Sequence, residues 1–120
     1  MTYDPDNVFA KILRGEIPNK TVYEDEHVLA FHDIHPRKAV HVMIIPKGAH
    51  QNIDVFSAKA SDAEILALWR AVPKIAEKLG LAGNGYRLIT NCGDHGGQEV
   101  PHLHVHLLGG EPVGRMVSDS

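Results

Sequence analysis

The sequence predicts an α+β domain built on an antiparallel five-stranded sheet, with one long and one short helix. Three observations lead there. A long amphipathic stretch opens at the capping box Ser61-x-x-Glu64. Five short strand candidates flank it, with connections too brief for most parallel crossovers. The last candidate alternates histidine with aliphatic residues, the period-two pattern of a strand with two unlike faces.

The elements follow in chain order. Asp6 or Asn7 caps a short helix over 8–14, with Val8, Phe9, Ile12 and Leu13 inward and Gly15 as terminator. Ile17-Pro18-Asn19 is a connector. Strands over 21–24 and 28–33 form a hairpin around the polar turn Glu24-Asp25-Glu26. His41 to Ile45 is the clearest buried strand, stopped by Pro46. The long helix runs to about Leu79, with Ile65, Leu68, Trp69, Val72, Ile75, Ala76 and Leu79 on its apolar side. Pro73 is expected to kink it and Gly80 to end it. Strands over 86–90 and 102–108 complete the sheet, separated by the glycine-rich loop 91–99.

The chain of 120 residues is one domain, 1–120, with irregular ends at 1–6 and 109–120. Its net charge of -3 shows no basic stripe of the kind that grips nucleic acid. A small anionic ligand is compatible with it, because a pocket can be locally positive. No apolar run approaches the ~20 residues of a membrane span, and the start does not read as a signal peptide. The lone Cys92 fits a reducing compartment, so the expectation is a cytoplasmic protein acting on neither nucleic acid nor membrane. Cys92 itself is expected to be a small inert buried residue.

The chemistry lies in His102-Leu103-His104-Val105-His106. Alternation puts three imidazoles on one face and the aliphatic residues on the other. A packed core gains nothing from three imidazoles. The histidine face suits three roles: a solvated surface, a metal site, or nucleophilic catalysis. His102 and His106 are separated by roughly 13 Å of strand rise, too far to share one ion, although two of the three with His41 could ligate zinc. For catalysis, a central neutral His104 is a nucleophile whose neighbours orient it and stabilise charge. Gly93, Gly96 and Gly97 allow backbone amides to approach an anion, although glycines mark turns more often than phosphate sites. His27, His35, His50 and His95 follow no such pattern and are expected at the surface.

His-x-His-x-His followed by two apolar residues resembles the signature of the histidine triad superfamily. The likeness to its Hint branch extends through Phe9-Ala10-Lys11-Ile12, Glu16-Ile17-Pro18, Ala30-Phe31-His32-Asp33-Ile34, His41, Ile44-Ile45-Pro46-Lys47, Gly85-Tyr86-Arg87, Asn91, Gly96-Gly97-Gln98-Glu99-Val100 and Leu107-Leu108-Gly109-Gly110. The resemblance implies a homodimer with a continuous ten-stranded sheet. It implies hydrolysis of the P–N bond of purine nucleoside phosphoramidates, such as adenylate joined to lysine, with AMP or GMP as nucleotide and no cofactor or metal. His104 would attack phosphorus and His102 would orient it, while His41 and His106 would lie near the phosphate oxygens. Asn91, Gln98 and Glu99 would line the phosphate or leaving-group side, Val100 would also bind the nucleotide, and Asp33 would bind the ribose. Val8, Phe9, Ile12, Phe31, His32 and Ile34 would surround the base.

By default Asp33 is a turn residue before Pro36, and Phe9, Ile12 and Phe31 are simple core. His32 and Asp33 point to opposite faces of a regular strand, so a bend is required if both touch one nucleotide. Pro101 and Glu111 depart from the family's usual Tyr and Arg. The rival readings are a zinc hydrolase using His41, His102 and His104, a dinucleoside polyphosphate hydrolase, and a non-catalytic nucleotide-binding regulator.

Overall fold

The computed structural model describes residues 2–117; Met1 and residues 118–120, the outer parts of the two ends read as irregular, lie outside the described residues. The elements are α1 (Val8–Leu13), β1 (Thr21–Glu24), β2 (Val28–His32), β3 (Val40–Pro46), α2 (Ile53–Lys59), α3 (Asp62–Lys78), β4 (Arg87–Ile89) and β5 (Val105–Gly109). The five strands form one sheet in the order β1-β2-β3-β5-β4, and every neighbouring pair is antiparallel.

Strand β3 lies at the centre and is buried on both faces. Val42 and Ile44 join Val28, Ala30, Val105 and Leu107 in a core with the long helix, whose Leu68, Ala71, Val72 and Ile75 pack there. Met43 and Ile45 face the other way, onto Leu29, Phe31 and the Phe9 and Ile12 side chains of α1. Two cores therefore share one strand, which is why its sequence is a continuous apolar run rather than an alternation.

Helix α1 begins where the Asn7 side chain accepts the Ala10 amide at 2.9 Å, so Asn7 is the cap. Helix α3 has the full capping box, with Ser61 accepting from the Glu64 amide and Glu64 accepting from the Ser61 amide. It continues through Pro73 on the exposed side, where solvent can replace the missing helical donor.

Several expectations are corrected. Helix α2 was not anticipated; Asn52 caps it by accepting the Val55 amide, and Phe56 buries it against the core. Trp69 is 51% exposed. It lies about 100° round the helix from Leu68, outside the buried arc in which Ala71 takes the inner place. The final strand starts at Val105 rather than His102, and it includes Gly109. Strand β4 is trimmed to three residues. His50 is half-buried, with its Nε2–H donating to Glu64 at 2.7 Å and its ring edge-on to Phe56. Cys92 is exposed. No helix among the described residues is long and apolar enough to cross a membrane.

Candidate active site

The alternation of the histidine segment survives although its first half lies outside the ladder. Leu103, Val105 and Leu107 all enter the core beneath α3. The three histidines therefore project to the opposite side, where α1 packs. His102 is fully buried, His104 is 6% exposed and His106 is half-buried.

Hydrogen bonds assign each ring its tautomer. The carbonyl of Pro46, at the end of β3, can only accept, so His102 Nε2–H donates to it at 2.9 Å. His102 Nδ1 is then an acceptor, and the Tyr3 hydroxyl donates to it at 2.7 Å. The backbone carbonyl of His102 likewise only accepts, so His104 Nδ1–H donates to it at 2.7 Å. That leaves His104 Nε2 with its lone pair. The Arg37 backbone N–H donates to His41 Nδ1 at 3.1 Å, so His41 carries its proton on Nε2 and donates to His106 Nδ1 at 2.9 Å. His106 then holds its proton on Nε2.

Burial disfavours the imidazolium form throughout. It pushes His102 and His106 down to about 4 and also lowers His104 and His41. The charge of Arg37 acts in the same direction on His41 and His106. Glu99 and Asp33 oppose the burial of His104 without overcoming it. The site is a cluster of neutral imidazoles at neutral pH.

Three of these rings, His41, His104 and His106, border a cavity of about 560 Å³. They line it together with Asp33, Asn91, Glu99 and Gly97. Its apolar part is formed by Val8, Phe9, Ile12, Phe31, Ile34 and Val100. His32 and Asp33 both border it: β2 ends at His32, and Asp33 follows outside the ladder with its N–H donating to the His41 carbonyl at 2.9 Å. The chain bends after these two residues, at Ile34 and His35.

Two residues stand elsewhere. His102 lies behind the cavity, against the wall residues His104 and Phe9. Gln98 does not line the cavity either; its amide braces the loop, with Oε1 accepting from Gly93 N and Nε2 donating to the carbonyls of Gln51 and Val100. The cavity also has walls that sequence reasoning missed, among them Met43, Ile17, Ile89 and Leu108. Leu108 follows from the alternation of β5, two residues beyond His106. Arg37 and His35 also border it, on the loop after Asp33. Tyr3, whose hydroxyl reaches His102, had no sequence signal, since nothing local reveals a contact across ninety-nine residues.

The zinc arrangement read from His41, His102 and His104 is not formed, because both ring nitrogens of His102 are engaged by Tyr3 and Pro46. Among the described residues, the group able to hold a cation is instead Asp33, His41 and His106, with ligand atoms within 4.8 Å of one another. Ligation by His41 Nε2 would require moving its proton to Nδ1 and giving up the Arg37 amide.

A buried neutral imidazole with an unprotonated Nε2, at the edge of an apolar cavity that also offers a carboxylate, is chemically suited to nucleophilic attack on a partly apolar ligand. The chain belongs to the HIT domain family, whose model matches residues 14–113. It is 45% identical to the purine nucleoside phosphoramidase of Escherichia coli K12, over 94% of this chain and 94% of that protein. It is 56% identical to a HIT-like protein of Azospirillum brasilense, over 98% of this chain and 96% of the relative. Among solved structures it resembles a HIT family hydrolase from Clostridium thermocellum, with a TM-score of 0.84 and 48% identity, covering 94% of this chain and 97% of the other. A histidine triad protein from Clostridium difficile gives a TM-score of 0.83 at 38% identity, covering 95% and 98%.

Proposed function

We propose that this protein hydrolyses the P–N bond of purine nucleoside phosphoramidates, such as adenylate joined to a lysine amine, through a nucleotidyl intermediate on His104. The carrying observation is the His104 tautomer. Its Nδ1–H is committed to the His102 carbonyl, so Nε2 holds an unprotonated lone pair at the cavity wall. The E. coli relative's name supports the substrate class.

In the first step His104 Nε2 attacks phosphorus and the P–N bond to the amine breaks. The bonding pair returns to the amine nitrogen, which needs a proton to leave. The amine takes that proton from solvent, and the attacking water of the next step returns one; His106 Nε2–H, held in this tautomer by His41, hydrogen-bonds a phosphate oxygen. Water then attacks phosphorus, the P–Nε2 bond breaks, and nucleoside monophosphate is released. Asp33 receives the ribose hydroxyls, and Phe9, Ile12 and Phe31 hold the base in the apolar part of the cavity. His102 acts behind the reacting atoms, through its backbone carbonyl.

The same reading includes a cytoplasmic homodimer. Strand β4 has β5 as its neighbour on one side and is a sheet edge on the other, so two copies can join there into ten strands.

The test is turnover of adenosine 5′-phosphoramidate by the parent and by His104→Ala. Loss of about a thousandfold or more, with the nucleotidyl adduct seen by mass spectrometry of the quenched parent alone, supports the reading. Undiminished turnover by the variant overturns it, and faster cleavage of a dinucleoside polyphosphate moves the substrate class.

A further inference from the structure

We infer that Tyr3, outside the region matched by the family model, is a positioning residue that locks the tautomer of His102 and through it the aim of His104.

The Tyr3 hydroxyl donates to His102 Nδ1 at 2.7 Å, and its ring meets the imidazole edge-on at 5.6 Å between centroids. His102 is completely buried. A buried imidazole nitrogen with a lone pair is costly to leave unmet, so the hydroxyl stabilises the form protonated at Nε2 over the alternative. That form alone can donate to the Pro46 carbonyl. The side chain is therefore held at both ring nitrogens, one by the end of β3 and the other by the N-terminal segment. With the ring pinned, the His102 backbone is pinned too, and its carbonyl is the group that accepts His104 Nδ1–H. A shift of this carbonyl would release the opposite His104 tautomer, in which Nε2 carries a proton and is no nucleophile.

The segment that carries Tyr3 is itself anchored. The Asn7 side chain, buried and capping α1, donates to the Asp4 carbonyl at 2.7 Å. Arg14 donates to the Pro5 carbonyl at 2.7 Å. Phe9, on the same segment, sits against both His104 and His102. The N-terminal residues thus reach the catalytic histidines twice, by a hydroxyl and by an apolar ring.

This inference rests on His104 as the nucleophile, and its test separates the two. Tyr3→Phe keeps the ring and removes the hydroxyl; Tyr3→Ala removes both. Steady-state turnover of adenosine 5′-phosphoramidate is measured beside long-range 1H–15N spectra of protein labelled at histidine. The expected result for Tyr3→Phe is kcat lower by about tenfold with KM within about twofold, since aim rather than binding is lost. The His102 Nδ1 resonance should move toward that of an unbonded lone pair, and a second His104 tautomer should become populated. Parent-like kcat with unchanged histidine spectra overturns the inference. A raised KM with unchanged kcat also overturns it, making Tyr3 a wall residue. If His104→Ala proves fully active, the proposed reaction fails, while the spectra of Tyr3→Phe still decide the lock.

Discussion

The ring of Phe9 lies 4.8 Å, centroid to centroid, from the ring of His104 and is tilted 58° to it. An N-terminal helix of six residues thereby supplies the apolar surface that desolvates the central histidine. Truncating Phe9 to Ala should cost about 3 kcal/mol of stability, because it empties part of the smaller core. It should also raise the His104 pKa toward the ordinary value by admitting water. Denaturant unfolding and histidine NMR titration check the two effects separately.

Because burial lowers the His104 pKa from 6.5, the acid limb of kcat/KM should fall below pH 6.5. His104 stays neutral across the neutral range and is protonated only as acidity overtakes burial. A limb centred at or above 6.5 would contradict the assignment of His104 to that titration.

Stability should follow the same chemistry. His102 is held at about 4 by burial in the first place, against the raising effect of the Pro46 carbonyl. Its folded value lies below its unfolded one, so the unfolded chain binds more protons in between. Its contribution is therefore complete above about pH 6.5, decreases as pH falls toward 4, and levels off below, for a total of about 3 kcal/mol. His106 acts in the same sense. Thermal midpoints measured from pH 7 to 4 should decline, and less steeply in His102→Gln.

Asp33→Asn should weaken AMP binding by about 10- to 100-fold, the value of one or two charge-assisted hydrogen bonds. The parent should favour AMP over its 2′-deoxy analogue, and the variant should lose much of that preference. Calorimetric titration of both nucleotides into both proteins is the measurement. Equal preference in parent and variant would remove Asp33 from the ribose.

The glycine-rich loop is constrained by contact as well as by conformation. A Cβ on Gly96 would stand 2.5 Å from the Cys92 carbonyl oxygen and 2.8 Å from its nitrogen. Both are backbone atoms that cannot swing aside, so Gly96→Ala should destabilise by about 1–3 kcal/mol and displace Asn91 and Glu99 from the cavity. Turnover should fall with it. Gly97 is held differently, by a φ of +78°.

The central strands were legible as short apolar runs, and the histidine face as period-two patterning, which Leu103, Val105 and Leu107 preserve even before β5 pairs. Helix α2 was not legible. It has seven residues and one deeply buried side chain, Phe56, too little for a periodic signal. Trp69 misled because hydrophobicity does not tell the middle of a helical stripe from its edge. Gln98 was placed at the site by the resemblance alone, whereas its amide is spent on the carbonyls of Gln51 and Val100 and on the Gly93 amide. A contact such as Tyr3 to His102 depends on a distant chain crossing that no local window contains.

The double burial of β3 carries an implication for how this chain can change. Its odd and even positions serve opposite layers, His41, Met43 and Ile45 on one side and Val42 and Ile44 on the other. Losing or gaining a single residue between 40 and 45 would exchange the two sets, sending an imidazole under the long helix and an aliphatic group to the ligand. Length variation is accordingly tolerable in the exposed connection at 82–85, whereas the central strand admits only substitution.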